Sequence, residues 1–175
     1  MNVDVLVLEW TTELTRDRLV SSLVSNYLTL QGRNVTEGPL QNGRYCIDKY
    51  KPKIVLLVNT VGAVTSLEIS EYAKGNNCTV VSLYGEGNFS ENRIKQFTWG
   101  HNIDQKIIDD CRIVWSSRAL NLLTKYFPDL KSTTFVGGSV GADNYVLKNG
   151  RKIIDEKLYC EYQCVVGVGC WNFGL

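Results

Sequence analysis

The chain has no Cys-x-x-Cys pair, one histidine, three prolines, one methionine and almost no net charge. Each shortage excludes something. Nineteen basic against eighteen acidic residues leave a formal charge of +1. No strong field therefore draws the chain to nucleic acid or to an anionic surface. The single histidine, His101, excludes any mechanism built on a histidine pair. Apolar runs such as Ile54–Val58 are short, far below the ~20 residues of a membrane span. The opening stretch MNVDVLVLEW carries an acid where an export signal carries basic residues, and no small-residue cleavage site follows. A soluble, cytoplasmic protein is the expectation.

The six cysteines, Cys46, Cys78, Cys111, Cys160, Cys164 and Cys170, lie too far apart and too far from histidine to suggest a zinc site. They read as inert thiols that pack like small hydrophobes. Three Asn-x-Ser/Thr sequons, at Asn34, Asn77 and Asn88, carry little weight without export.

What is present is an alternation of strand and helix. With 175 residues there is room for about one ordinary domain. Val3–Leu8 is apolar apart from Asp4 and reads as a buried strand. Arg16–Leu30 reads as a helix, with Leu19, Val20, Leu23, Val24, Tyr27 and Leu28 on one face. Thr15 would cap it and Gly32 would stop it. Arg33–Gly38, Lys53–Val58, Thr79–Leu83, Arg112–Trp115 and Thr133–Val136 read as further strands. Between them Tyr45–Tyr50, Leu67–Lys74 and Arg118–Tyr126 read as helices, the last capped by Ser116 or Ser117. Strands separated by helical stretches predict a parallel sheet with helices on both faces, a Rossmann-like α/β domain.

The tail differs. Lys148–Lys157 is charged, and Cys164–Val168 is a new apolar run. A late strand with no following helix cannot cover both of its own faces in a parallel sheet. It either adds to the first sheet or opens something further.

In open parallel sheets ligands bind beyond the carboxyl ends of the strands. That places Glu9, Trp10, Asn59, Thr60, Gly85–Asn88, Ser116–Arg118 and Gly137–Asp143 around one rim. Glu86 stands between two glycines that would leave room for a substrate. Its carboxylate would suit proton abstraction from a hydroxyl, although a plain turn with a solvated acid fits the same residues. Known fingerprints are missing. Gly85-x-Gly87 is followed by Ser90 where a dinucleotide site needs glycine, and Gly137, Gly138 and Gly141 are out of register. There is no Walker phosphate loop and no Gly-x-Ser-x-Gly around Ser116, Ser117 or Ser139. No acidic Asp-x-Asp cluster lies in a rim loop, and Asp109–Asp110 reads as the solvated end of a helical segment. Trp10, Trp99 and Trp115 would serve a sugar ring, but aromatic residues more often belong to a core.

Several segments in order resemble the amino-terminal half of bacterial surface-carbohydrate glycosyltransferases of the GT-B architecture, the polysaccharide-biosynthesis proteins related to CDP-glycerol glycerophosphotransferases. They are Lys53–Gly62 (KIVLLVNTVG), Val81–Phe89 (VSLYGEGNF), Trp99–Asn102 (WGHN), Val114–Arg118 (VWSSR), Tyr126–Leu130 (YFPDL) and Val136–Tyr145 (VGGSVGADNY). Val165–Phe173 (VVGVGCWNF) resembles the opening strand of the second domain.

The resemblance implies an acceptor-side domain over residues 1–145, with a linker and the first strand of an absent second domain over 146–175. It implies metal-independent transfer from a nucleotide-activated donor, a sugar nucleotide or a CDP-glycerol-like compound, which the missing domain would hold. No cofactor is expected in the domain itself. Glu86 would be the general base or an acceptor ligand, Asn59, Thr60 and Asn88 would line the acceptor side, and Ser116 and Arg118 would meet an anionic group. The Tyr84-Gly85 step before the acid departs from the family pattern. The expected partners are a carbohydrate acceptor and a separate carboxy-terminal half. Nucleic acid and an integral membrane segment are not expected, while peripheral membrane association is compatible with the reading. One wall of a cleft should not catalyse alone, because positioning needs groups on both sides. Two other readings compete: a non-catalytic carbohydrate- or nucleotide-binding module, and a relative of nucleotide-sugar epimerases.

Overall fold

A computed structural model describes residues 2–10, 16–58, 63–85, 90–94 and 108–140. Six strands form one parallel sheet: β1 (Val5–Glu9), β2 (Val35–Pro39), β3 (Ile54–Val58), β4 (Thr79–Leu83), β5 (Cys111–Val114) and β6 (Thr134–Val136). Their order is β2-β1-β3-β4-β5-β6. Among the described residues four helices accompany them: α1 (Arg16–Leu30), α2 (Gly43–Tyr50), α3 (Val64–Gly75) and α4 (Ser117–Tyr126). The chain divides into a compact unit Met1–Gly141 and a second unit Ala142–Leu175. The second unit, and with it the expected linker and late strand, lies outside the described residues.

The central strands β1 and β3 are apolar on both sides, Glu9 apart, because both of their sides are covered. Side chains alternate across the sheet. Val5, Val7, Leu56, Val58 and Leu83 face α1 and pack with Val20, Val24 and Leu28. Leu6, Leu8, Val55, Leu57 and Val80 face the other way and pack with Ile47 of α2 and with Ile69 and Ala73 of α3. The register is regular: Val5 is level with Val35 and Ile54, and Ile54 with Thr79. A third cluster joins Tyr84, Ile94, Val114 and Ala119 beneath α4.

Local chemistry explains the boundaries. Gly32 has a φ of +79°, the left-handed turn that ends α1. Helix α2 ends in the same conformation at Lys51, φ 45°, and Pro52 follows. The Ser116 hydroxyl accepts the Ala119 N–H at 3.2 Å and caps α4. Thr15, the expected cap of α1, lies outside the described residues. Gly43 packs directly under Ile69, where an added Cβ would stand 2.9 Å from Cδ1, so α2 and α3 approach closely.

Two expectations are corrected. Strand β1 runs to Glu9, one residue past the expected Leu8, and Glu9 is buried rather than part of a loop. The inner face of α1 is also rotated from the one expected. Val20, Ser21 and Ser25 are buried, while Leu19 and Tyr27 are exposed. Leu19 and Tyr27 lie beside the sheet-facing stripe but point past the edge of the contact.

The thiols of Cys46 and Cys78 are buried, and burial pushes both above their ordinary pKa. Cys78 donates to the Pro52 carbonyl at 3.2 Å. Among the described residues no group of His, Cys, Asp and Glu is placed to hold a metal ion. No described helix is long and apolar enough to cross a membrane.

Two aspartates pin strand entries. Asp4 accepts the Asn34 N–H at 3.0 Å and the Lys53 ammonium at 2.8 Å. Asp110 accepts the Val80 N–H at 2.8 Å and Lys74 at 2.5 Å. The Lys53 hydrogen bond, aided by Asn34, lowers the Asp4 pKa. Burial raises that of Asp110, but Lys74 and the Val80 N–H outweigh it and the net shift is downward. A carboxyl depressed on folding contributes stability above its unfolded pKa of about 3.9, and that contribution is lost as pH falls through the lower folded value. Asp4→Asn should therefore be less stable than the parent chain at pH 7, with the gap closing below about pH 4. Denaturant titrations at pH 7 and pH 3 measure both ends.

Candidate functional site

All six strands are parallel, so their carboxyl ends, Glu9, Pro39, Val58, Leu83, Val114 and Val136, arrive at one edge. The order reverses between β1 and β3: β2 lies on one side and β4 to β6 on the other. Such a switch point opens a crevice at the carboxyl edge, where ligands of this kind of sheet bind.

At that corner stands a charged cluster. Glu9, the last residue of β1, is 1% exposed. One carboxylate oxygen accepts the Arg18 guanidinium at 2.8 Å, and the other accepts the Ser21 hydroxyl at 2.9 Å. The same Arg18 nitrogen reaches Glu37 of β2 at 2.7 Å. Glu9 and Glu37 both project on the α1 side of the sheet, because Glu9 lies two residues beyond Val7, which faces α1, and Glu37 is level with Val7. The Glu9 hydrogen bond raises the Arg18 pKa still further. Among the described residues two carboxylates share this one guanidinium. Glu9 was expected at the rim, but this network was not. Its only trace in the sequence is an acid ending an apolar run with an arginine in the next helix.

Aromatic groups brace the exits. The Trp115 indole N–H donates to the Tyr84 carbonyl at 2.7 Å, tying the end of β4 to that of β5. Trp10 packs against the core under α2 and α3, and its carbonyl accepts Gln41 at 2.7 Å. Both tryptophans are half-buried.

The expected site residues divide as follows. Ser116 and Arg118 stand beyond β5, on the rim. Ser116 is committed to capping α4, and Arg118 is exposed in the first turn of the same helix. Asn59 and Thr60 follow directly on Val58 at the switch point in sequence, and Glu86 and Asn88 follow Gly85 beyond β4. These four, together with Trp99 and His101, lie outside the described residues.

Of Asp109–Asp110, expected to be solvated, Asp110 is exposed and Asp109 is largely buried. Asp109 forms an ion pair with Arg112, whose side chain is 4% exposed. Burial raises the Asp109 pKa, against the pull of Arg112 and Ser82. Tyr84 is buried nearby and its phenol is pushed up to about 12 by that burial. Arg112 and Asp109 offset each other inside the domain, below the rim. A buried charge tolerates that position only when paired.

No family model and no curated protein matches the chain. Solved structures do. UDP-N-acetylglucosamine 2-epimerase from Rickettsia bellii matches at a TM-score of 0.59 and 16% identity, over 91% of this chain and 52% of that one. The Methanocaldococcus jannaschii UDP-GlcNAc 2-epimerase matches at 0.59 and 13%, over 90% and 52%. The Neisseria meningitidis UDP-GlcNAc 2-epimerase bound to UDP-GlcNAc matches at 0.55 and 14%, over 90% and 52%. The fold is thus the Rossmann-like one found in GT-B-type sugar-nucleotide enzymes. The chain spans about half the length of these proteins.

The two buried serines of α1 should respond oppositely to truncation. The Ser21 hydroxyl bonds Glu9, whereas the Ser25 hydroxyl is buried with no hydrogen-bond partner among the described residues. Ser21→Ala should cost about 1.5–3 kcal/mol, the worth of a hydrogen bond to a charged group. Ser25→Ala should be neutral or stabilise by up to about 1 kcal/mol, since it removes an unsatisfied hydroxyl and raises helix propensity. Urea unfolding of the two variants checks the difference in sign.

Proposed function

We propose that this chain forms one wall of a nucleotide-sugar-processing enzyme, and that the enzyme is of the epimerase kind rather than a glycosyltransferase. The observation that carries the reading is the match of about nine-tenths of the chain to half of several UDP-GlcNAc 2-epimerases. The polar rim at the topological switch point supports it, because that is where such a sheet receives a ligand. The epimerase reading takes the place of the acceptor-side transferase reading, which rests on the resemblance of short segments alone.

Inverting a sugar stereocentre means breaking a bond at one carbon and remaking it on the opposite face. A carboxylate at the rim can take the proton from one face of that carbon, and an acid on the facing wall would return a proton to the other face, so that the C–H bond broken is re-formed with inverted configuration. Glu86 is proposed for that role, with Asn59, Thr60 and Asn88 as ligands for hydroxyl or amide groups of the sugar. Arg118 is proposed as an anchor for an anionic group of the substrate. Ser116 contributes by capping α4 and so fixing where Arg118 starts. The Glu9–Arg18–Glu37 cluster holds the β1 and β2 exits in place and acts on ligand only through that geometry. A second domain or a separate chain supplies the opposite wall, so this chain binds weakly and does not turn over by itself.

Thermal unfolding of the chain with UDP-GlcNAc, with UDP and with free carbohydrate tests the reading. A nucleotide sugar at a hundredfold excess over its Kd should stabilise by about 2.7 kcal/mol, a rise of roughly 5–10 °C for a domain of this size. Arg118→Ala should reduce that rise when it is measured against the variant's own unliganded Tm. Stabilisation by free carbohydrate and not by any nucleotide sugar would instead return the chain to the acceptor side of a transferase. No stabilisation by either would defeat both.

A further inference from the structure

Helix α3 starts at the switch point, and its amino end is uncapped among the described residues. It is the next described element after β3, and its last turn leads into β4 at the opposite edge of the sheet. Its amino end therefore stands at the carboxyl edge, beside the exits of β1 and β3. The first bond of the helix runs from the Leu67 N–H to the Ala63 carbonyl at 3.1 Å. The N–H groups of Val64, Thr65 and Ser66 thus have no acceptor inside it. A side-chain oxygen at the capping position usually takes one of them, but that position holds Ala63. Helix α4 shows the contrast, since Ser116 caps it. The first turn of α3 also holds no acid, and the run Ile54–Leu67 carries no charge of either sign.

A free amino end alone attracts an anion only weakly. The second observation is Ser66. It is 3% exposed, and its hydroxyl is buried with no hydrogen-bond partner among the described residues. Ser70, one turn on, is buried too, but its hydroxyl donates to the Ser66 carbonyl at 2.8 Å. Ser66, Ile69, Ser70 and Ala73 make up the buried stripe of α3, so Ser66 is the member of that stripe nearest the rim. The Cα–Cβ bond of a helical residue leans toward the amino end. The Ser66 hydroxyl is therefore carried toward the three N–H groups, on their inner side. A buried hydroxyl without a partner is unfavourable, and an apolar residue would avoid the loss. On the outer side Val64 is 49% exposed, which leaves the turn open to solvent.

We propose that the amino end of α3 is a seat for a phosphate group, held by the Val64, Thr65 and Ser66 N–H groups and by the Ser66 hydroxyl. Helix starts of this kind favour anions through both the free N–H groups and the dipole. Four donors gathered at one helix end suit the several oxygens of a tetrahedral anion better than the two of a carboxylate. All four are neutral, so the seat needs no basic residue. It is distinct from Arg118, which starts beyond β5, two strands and about 10 Å across the sheet. The inference concerns the group bound and not a reaction, so it stands apart from the epimerase reading. A nucleotide diphosphate, a sugar phosphate and the free ion share the chemistry it recognises.

Titration of the isotope-labelled full chain with inorganic phosphate, at constant ionic strength, tests it at the amide signals of Val64, Thr65 and Ser66. The three should move together and saturate, with a Kd on the order of millimolar, as befits one anion held by a few hydrogen bonds. Ser66→Ala should weaken binding about tenfold, the loss of one hydrogen bond to a charged group. Ser25→Ala, which removes the other buried hydroxyl without a partner, should leave the Kd unchanged. Ala63→Asp sets a carboxylate at the capping position and should abolish the phosphate response in a folded chain. Should one variant fail to fold, the parent chain and the other variant still decide. UDP and a hexose phosphate are then titrated in turn, and the ligand that moves the three signals at the lowest concentration identifies the source. No saturable shift at these amides overturns the proposal. So does parent affinity in Ser66→Ala or Ala63→Asp, or equal weakening by Ser66→Ala and Ser25→Ala.

Discussion

A parallel sheet delivers every strand exit to one edge, and that constraint organises this molecule. Because no strand turns back directly, each connection must cross a face of the sheet, and the helices that cross it cover both faces. The core is therefore double-sided, with Leu6, Leu8 and Leu57 on one side and Val7, Leu56 and Val58 on the other. Polar side chains collect at the two ends of the strands, Asp4 and Asp110 at the entries and Glu9 and Glu37 at the exits. The rim is a consequence of connectivity before it is a binding site.

The Glu9–Arg18–Glu37 cluster shows how that edge is held. A carboxylate that is 1% exposed would not survive there unpaired, since desolvation disfavours a lone buried charge by several kcal/mol. Arg18 offsets it from the first turns of α1, while Ser21 satisfies the second oxygen. The guanidinium keeps one side in solvent and reaches β2 through Glu37. Thus one helix, two neighbouring strands and the switch point are joined by three side chains. The Arg112–Asp109 pair does similar work deeper in the domain, where β5 enters between β4 and β6.

Much of this fold is legible in the sequence, and the parts that are not have identifiable causes. Runs such as Ile54–Val58 announce themselves because a strand buried on both faces is apolar at every position. Glu9 broke that rule and so read as the start of a loop; only a partner nine residues away explains its place in the strand. The face of α1 was misjudged because Leu19 and Tyr27 satisfy helical spacing as well as Val20 and Leu28 do. Periodicity reports that a helix has an apolar side, and here it has two. Asp110 is exposed, as an acid in a polar stretch suggests, whereas Asp109 is drawn inward by Arg112, whose burial follows from its place in β5 between β4 and β6. The rim was predicted from the direction of the strands, and Ser116 and Arg118 do stand on it. The loops that carry Asn59, Thr60, Glu86 and Asn88 lie outside the described residues.

The two unusual features of α1 have a common root. Its first turns must present Arg18 and Ser21 to the end of β1, which places polar side chains on the face that would otherwise be wholly apolar. Ser25, one turn further along the same face, is buried there without a partner among the described residues, a cost that packing of Val20, Val24 and Leu28 must offset. With serines spent on the inside, the leucines at 19 and 30 lie outside. The inner face of α1 thus serves two demands at once, and the buried Ser25 hydroxyl is the cost of giving a sheet-facing helix polar side chains near the rim.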